Sequence, residues 1–131
     1  LRLVLCGANP TKRVQVLRGP HVEVTGWVES MAEYYAQSRV FIAPMRLGTG
    51  LQNKLLEAMA TELPCVTSPL AAKPLKNAEY QKDILVCETP DEYAAAISRL
   101  LTDQEFYDVL SQNAYRFVKE QYSWESMLPL I

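Results

Sequence analysis

Residues 46–62 read RLGTGLQNKLLEAMATE. Gly48 and Gly50 flank Thr49 and run at once into a leucine-rich helical pattern that carries Lys54 and Glu57. Glycines let another group approach the backbone closely. The first amides of a helix have no partner within it and carry a partial positive charge, so they attract phosphate. Gly48 and Gly50 would therefore clear space over a helix start for an anionic ligand. A tight turn that holds nothing accounts for these residues equally well. The stretch is not a Walker loop, because no G-K-[ST] follows. It is not the G-x-G-x-x-G fingerprint either, because Asn53 takes the place of the third glycine.

The helix that follows adds side chains to the backbone seat. With Leu51 as origin, Leu55 and Met59 fall on the core side, and Asn53, Lys54, Glu57 and Thr61 gather opposite. Glu57 lies about two turns in, where it could reach a ligand group beyond the phosphates, such as a ribose. The plainer alternative is a Lys54–Glu57 surface pair at i,i+3, worth ~0.2–0.5 kcal/mol.

These residues need a scaffold, and the rest of the chain supplies one. Leu1 to Cys6 is a short apolar run ended by Gly7, as in a buried parallel strand. A turn over residues 8–11 leads to a short helix through about Leu17, broken at Gly19-Pro20. Val22 to Thr25 alternates and stops at Gly26, a second strand; Ser30 to Gln37 is helical; Arg39 to Ala43 is a third strand, stopped by Pro44. The glycine loop and a helix from about Gly50 to Thr61 come next, then a β-branched strand at Pro64–Thr67. Ser68 to Asp83 is polar and irregular, a loop within the domain, and Ile84 to Cys87 is a fifth strand. Thr89-Pro90-Asp91-Glu92 has the form of a capping box, and Thr102 to Glu105 repeats it. Tyr93, Ile97, Leu100 and Leu101 form one apolar stripe; Phe106, Leu110, Asn113 and Phe117 continue at helical spacing. Alternating strands and helices imply a parallel sheet covered on both faces: a Rossmann-like, doubly wound, three-layer α/β/α fold in a single domain over residues 1–131. In such sheets ligands sit outside the carboxyl ends of the strands, where the loop Pro44 to Gly50 falls.

Composition narrows the function classes. The 131 residues have the apolar and charged shares of a soluble globular domain, and the net charge of −2 gives no reason to expect nucleic acid. Cys6, Cys65 and Cys87 are scattered, odd in number and without a CxxC pair, and His21 is the single histidine, so no metal is expected. Cys6 and Cys65 sit in apolar runs, as small buried hydrophobes. The expected setting is reducing and cytoplasmic, with a peripheral place at the inner membrane face as a variant. No apolar run reaches the ~18 residues of a membrane span. The chain opens on Leu1 within a strand, as an excised piece of a longer protein would.

The ordered motifs resemble the carboxyl-terminal half of retaining GT-B glycosyltransferases of the glycosyltransferase group 1 family. Gly26-Trp27-Val28, Tyr34-Tyr35-Ala36 and Val40 to Pro44 carry part of the likeness; Gly48 to Ala60, ending in Leu56-Glu57-Ala58-Met59-Ala60, carries most of it. Leu63 to Thr67 resembles the family's G-x-P-V-V-x-T strand, and Tyr122-Ser123-Trp124 its aromatic-Ser-Trp ending. The resemblance implies half of a GT-B fold, a nucleotide-sugar donor as substrate without a cofactor, and retaining transfer of the sugar. The acceptor, a glycan or lipid-linked sugar, would be held by a missing amino-terminal domain. Polysaccharide biosynthesis is the implied setting.

By position, the resemblance makes Glu57 the ribose-binding glutamate and the backbone of Gly50 and Leu51 the phosphate contact. Trp27 and Val28 would lie near the nucleobase, with core packing as the alternative for Trp27. Thr49 stands eight residues before Glu57, where the family's other glutamate usually faces the transferred sugar. A subset with a Gly-x-Gly loop and an Asn-Lys-x-Leu-Glu-Ala helix shares that change. The family's upstream arginine and lysine are absent, and Arg46 and Lys54 are local substitutes. The isolated chain is expected to bind a nucleoside diphosphate weakly and to transfer no sugar. Two other classes compete: a GT-B sugar-nucleotide epimerase and a non-catalytic α/β regulatory module. The first needs acid/base carboxylates and a histidine near the cleft; the second needs acidic strand ends, where this chain has Gly7, Gly26 and Pro44. His21 is expected in a surface loop, and Tyr34-Tyr35 in helix packing.

Overall fold

The computed structural model describes residues 2–6, 12–26, 28–29, 31–46 and 53–122. The chain divides into two compact units, Leu1–Tyr34 and Tyr35–Ile131.

In the first unit, β1 (Leu3–Cys6), α1 (Lys12–Gln15) and β2 (Val22–Gly26) follow in order. The two strands run parallel, with Leu3 opposite Val22 and Leu5 opposite Val24, and the register slips between Leu5 and Cys6. Val24 is buried, Arg2 pairs with Glu23, and the Arg18 guanidinium donates to the Val24 carbonyl at 3.0 Å. Gly26 ends β2 at φ +69°, a conformation side chains resist. His21 is exposed, as its place beside Pro20 suggested, and Cys6 is only half-buried.

Helix α2 (Ala32–Gln37) runs across the division. The second unit then holds β3 (Phe41–Ala43), α3 (Asn53–Ala60), β4 (Cys65–Thr67), α4 (Pro69–Ala72), β5 (Leu85–Val86), α5 (Pro90–Thr102) and α6 (Gln104–Tyr122). Its sheet has the order β3-β4-β5, parallel throughout, with Phe41 opposite Cys65 and Val66 opposite Leu85. Every residue of β4 is buried, as a central strand covered on both faces must be. Val66, Leu85, Cys87, Leu100 and Leu110 form the core between this sheet and the two long helices. Each observed parallel pair agrees with the sequence expectation.

Local chemistry explains where the elements differ from the sequence expectation. The stretch from Ser68 is not wholly irregular: the Ser68 hydroxyl accepts from the Ala71 amide at 3.3 Å, Pro69 opens the first turn, and α4 results. The Thr89 box forms, with its hydroxyl accepting from the Glu92 amide at 3.2 Å, but the Glu92 carboxylate takes its return bond from the Glu88 amide. Before α6 the cap is Asp103, which accepts from the Phe106 amide at 3.0 Å. Thr102 stays in α5, donating to the Ser98 carbonyl. Leu101 turns outward, while Leu100 beside it is fully buried.

Helix α3 ends in a left-handed turn. The Leu63 amide donates to the Ala58 carbonyl and the Glu62 amide to the Met59 carbonyl, both at 3.1 Å, with Glu62 at φ +66°. This is the Schellman pattern, with a glutamate where glycine is favoured. Glu62→Gly should raise stability by about 0.5–1 kcal/mol in urea unfolding, because the left-handed strain outweighs the added chain entropy. An unchanged midpoint would refute the strain.

Burial also raises the Cys65 thiol far above its ordinary range, and the Cys87 thiol upward with help from Glu92. The unfolded chain releases these protons above about pH 8.5, while the folded chain keeps them. The folded state then binds more protons, so stability falls as pH rises. Unfolding between pH 8 and 10 should show this decline. Cys65→Ala should flatten it by up to ~1.4 kcal/mol per pH unit.

Candidate functional site

Helix α3 divides its residues as the pattern required. Leu55, Ala58 and Met59 are no more than 1% exposed, and α3 packs on α6, β3 and β4. Asn53, Lys54, Glu57 and Thr61 are exposed. The helix follows the carboxyl end of β3, whose last residue, Ala43, accepts from the Ser68 amide at the matching end of β4. Lys54 and Glu57 thus lie on the outer face of the helix that follows β3 in the chain.

Among the described residues the Lys54–Glu57 ion pair is not formed. Glu57 is engaged by a residue the sequence placed only in helix packing. Tyr35 is 6% exposed, and its ring meets Phe41 edge-on, with centroids 6.2 Å apart at 62°. Its hydroxyl donates to Glu57 Oε2 at 3.0 Å and lies 3.3 Å from the Lys54 carbonyl. The packing expectation for Tyr35 holds for its ring. The hydroxyl's reach to Glu57 needed the tertiary structure, because the residues are 22 apart in sequence.

Arg46 is exposed at the end of the segment leaving β3. Its charge reaches Tyr93 on α5, whose phenol is pushed up by burial and by Cys87, against the lowering effect of Arg46. Among the described residues the buried Tyr93 hydroxyl has no hydrogen-bond partner, an arrangement rare in folded proteins. Val28, half-buried just past β2, belongs to the first unit. Trp27, Gly48, Thr49, Gly50 and Leu51 lie outside the described residues, as do Gly7, the turn over residues 8–11 and the closing Ser123-Trp124. A groove of about 400 Å³ lined by Gln81, Val86, Glu92, Arg99 and Phe106 includes none of the expected site residues.

If the Tyr93 hydroxyl serves nothing within the fold, Tyr93→Phe should leave stability unchanged or raise it by up to ~1 kcal/mol. Thermal unfolding measures this, and a clear loss would reveal a partner.

The family model of glycosyl transferases group 1 matches residues 1–103. A glycosyltransferase of Methanocaldococcus jannaschii, MJ1069, is 27% identical over 94 residues, which cover 67% of this chain and 23% of that protein. The carboxyl-terminal domain of a glycosyl transferase group 1 family protein, LpcC from Francisella tularensis, superposes with a TM-score of 0.71 at 17% identity, covering 84% of this chain and 58% of that one. The Anabaena protein Alr3699/HepE, solved with UDP, superposes with a TM-score of 0.86 at 14% identity, covering 99% of this chain and 39% of that one. Likeness at these identities establishes the Rossmann-like α/β fold found in GT-B glycosyltransferase domains.

Proposed function

The chain belongs to the glycosyl transferases group 1, and from that premise we propose that it is the donor-binding half of a retaining glycosyltransferase. The observation that carries the proposal is Glu57, exposed on α3, the helix that follows β3, and held by a buried tyrosine. The chain spans about a quarter of its curated relative's length, and in this reading the transfer itself belongs to a larger protein.

In this scheme the nucleoside diphosphate lies over the backbone of Gly50 and Leu51. Lys54 and Arg46 offset its charge, so no metal is required. Glu57 accepts from the ribose hydroxyls, in charge-assisted bonds stronger than neutral ones. Trp27 and Val28 lie near the base, Gly48 clears space over the helix start, and Thr49 takes the place of the family glutamate that faces the transferred sugar. The UDP held by the Anabaena neighbour supports a nucleoside diphosphate as ligand. Negative charge builds on the leaving diphosphate in the transition state, and fixed amides and cations aimed there lower the barrier. The acceptor, a glycan or lipid-linked sugar, meets the donor through another domain. The enzyme works in the cytoplasm or at the inner membrane face, in polysaccharide assembly; among the described residues no helix is long and apolar enough to cross a membrane.

Calorimetric titration with UDP, GDP and ADP tests the site. One of the three should bind the chain, and Glu57→Ala should weaken it by about 10–100-fold, the loss expected for hydrogen bonds to a charged group. Equal binding by both proteins would remove Glu57 from the site. No binding of any nucleotide to the wild type would remove the proposal.

A further inference from the structure

Glu57 lies on an exposed helix face, where a free glutamate samples many rotamers. The phenol that meets it has no such freedom. Tyr35 is almost wholly buried, with its ring set against Phe41, so its oxygen is a fixed point at the base of the carboxylate. Among the described residues the hydroxyl, with its one proton, has Glu57 Oε2 at 3.0 Å and the Lys54 carbonyl at 3.3 Å as acceptors within reach. The carboxylate wins that proton. It is nearer and charged, and a carbonyl inside α3 already serves an amide of its own helix.

One hydrogen bond to Oε2 leaves Oε1, and one lone pair of Oε2, to accept from a ligand. Those two acceptors suit two hydroxyls on adjacent carbons. We propose that Tyr35 is a positioning residue that aims Glu57 at the 2′- and 3′-hydroxyls of the nucleotide, so that the choice of ribose over deoxyribose depends on a buried phenol. The inference rests on the donor-binding role of α3 proposed above. Its physical content is preorganisation: a carboxylate already held in place gives up less rotamer freedom when the ribose arrives.

The test uses whichever of UDP, GDP and ADP binds, together with its 2′-deoxy counterpart. Tyr35→Phe keeps the ring and removes only the donor. It should weaken the ribonucleotide by about 3–10-fold, the worth of one net hydrogen bond, and weaken the 2′-deoxynucleotide, which keeps one of the two hydroxyls, clearly less. The ribose-to-deoxyribose ratio therefore falls. In a Glu57→Ala background the same substitution should change neither affinity further. In the wild-type chain, the Tyr35 hydroxyl proton should give a slowly exchanging NMR signal that shifts when the ribonucleotide is added. That signal decides the matter even if Tyr35→Phe folds poorly.

A purely structural tyrosine would lower both affinities alike, in either background, and its signal would ignore the nucleotide. Any of those results overturns the inference while the donor site stands. If no nucleotide binds the wild type, the donor site falls first, and the inference with it.

Discussion

The candidate site depends on how α3 is seated. Leu55, Ala58 and Met59 occupy one face, sealed against α6 and the ends of β3 and β4. Successive residues of a helix lie 100° apart, so a slip of one position would carry Lys54 toward the core in place of Leu55. A buried, unpaired ammonium costs far more than the slip could recover. The apolar face thus dictates the polar one, and Lys54 and Glu57 point outward because their neighbours cannot. The closing turn adds a second constraint. Glu62 in the left-handed conformation sends the chain back through Leu63, which is buried, directly into β4. Rotation and length of α3 are both set by contacts on its buried side.

Parallel pairing fixes the end of the sheet from which the chain leaves toward that helix. A strand that pairs parallel with its predecessor must be reached by a crossover, and the crossover leaves from the carboxyl end. Between β3 and β4 the crossover is the glycine segment and α3. The next crossover, through α4 to β5, and the helix α5 that follows β5 leave from the same edge. This is why Tyr93 near the start of α5 feels the charge of Arg46, although the two are far apart in sequence. Chemistry gathers at one edge for a topological reason, before any particular side chain is considered.

Much of this was legible in the chain itself. The strand order along the sequence, the parallel sense of the pairs and the two faces of α3 follow from periodicity and from glycine and proline punctuation. The box at Thr89 could be read because all its parts lie within four residues. What escaped reading was cooperative or non-local. The cap at Ser68 was hidden in a stretch whose polarity suggested a loop, and its consequence is only the single turn of α4. Thr102 and Asp103 are both capping types, and only the intrahelical bond of Thr102 decides between them. Cys87 closes the apolar run of the fifth strand beside the polar, exposed Glu88 and Thr89, and only the tertiary structure shows it joining the core with Val66 and Leu100. The bond from Tyr35 to Glu57 joins two helices across β3, and no pattern within either segment announces it.

Two tyrosines show what separates a side chain that fills space from one that shapes a site. Both Tyr35 and Tyr93 bring a phenol into the second unit. Burying a hydroxyl without a partner costs about 1–3 kcal/mol, and among the described residues Tyr93 has none, while its ring packs on the core. Tyr35 avoids it by giving its proton to a carboxylate at the surface. The exchange serves both partners. The phenol gains an acceptor strong enough to offset its loss of water, and the carboxylate gains an anchor that solvent cannot supply. Stability and site geometry are therefore coupled at this point. A glutamate chosen only for solubility would need no buried donor beneath it, and a tyrosine chosen only for packing would do as well as phenylalanine. That the fold keeps the two together, across a strand and 22 residues of chain, is the strongest physical reason to treat the outer face of α3 as a working surface.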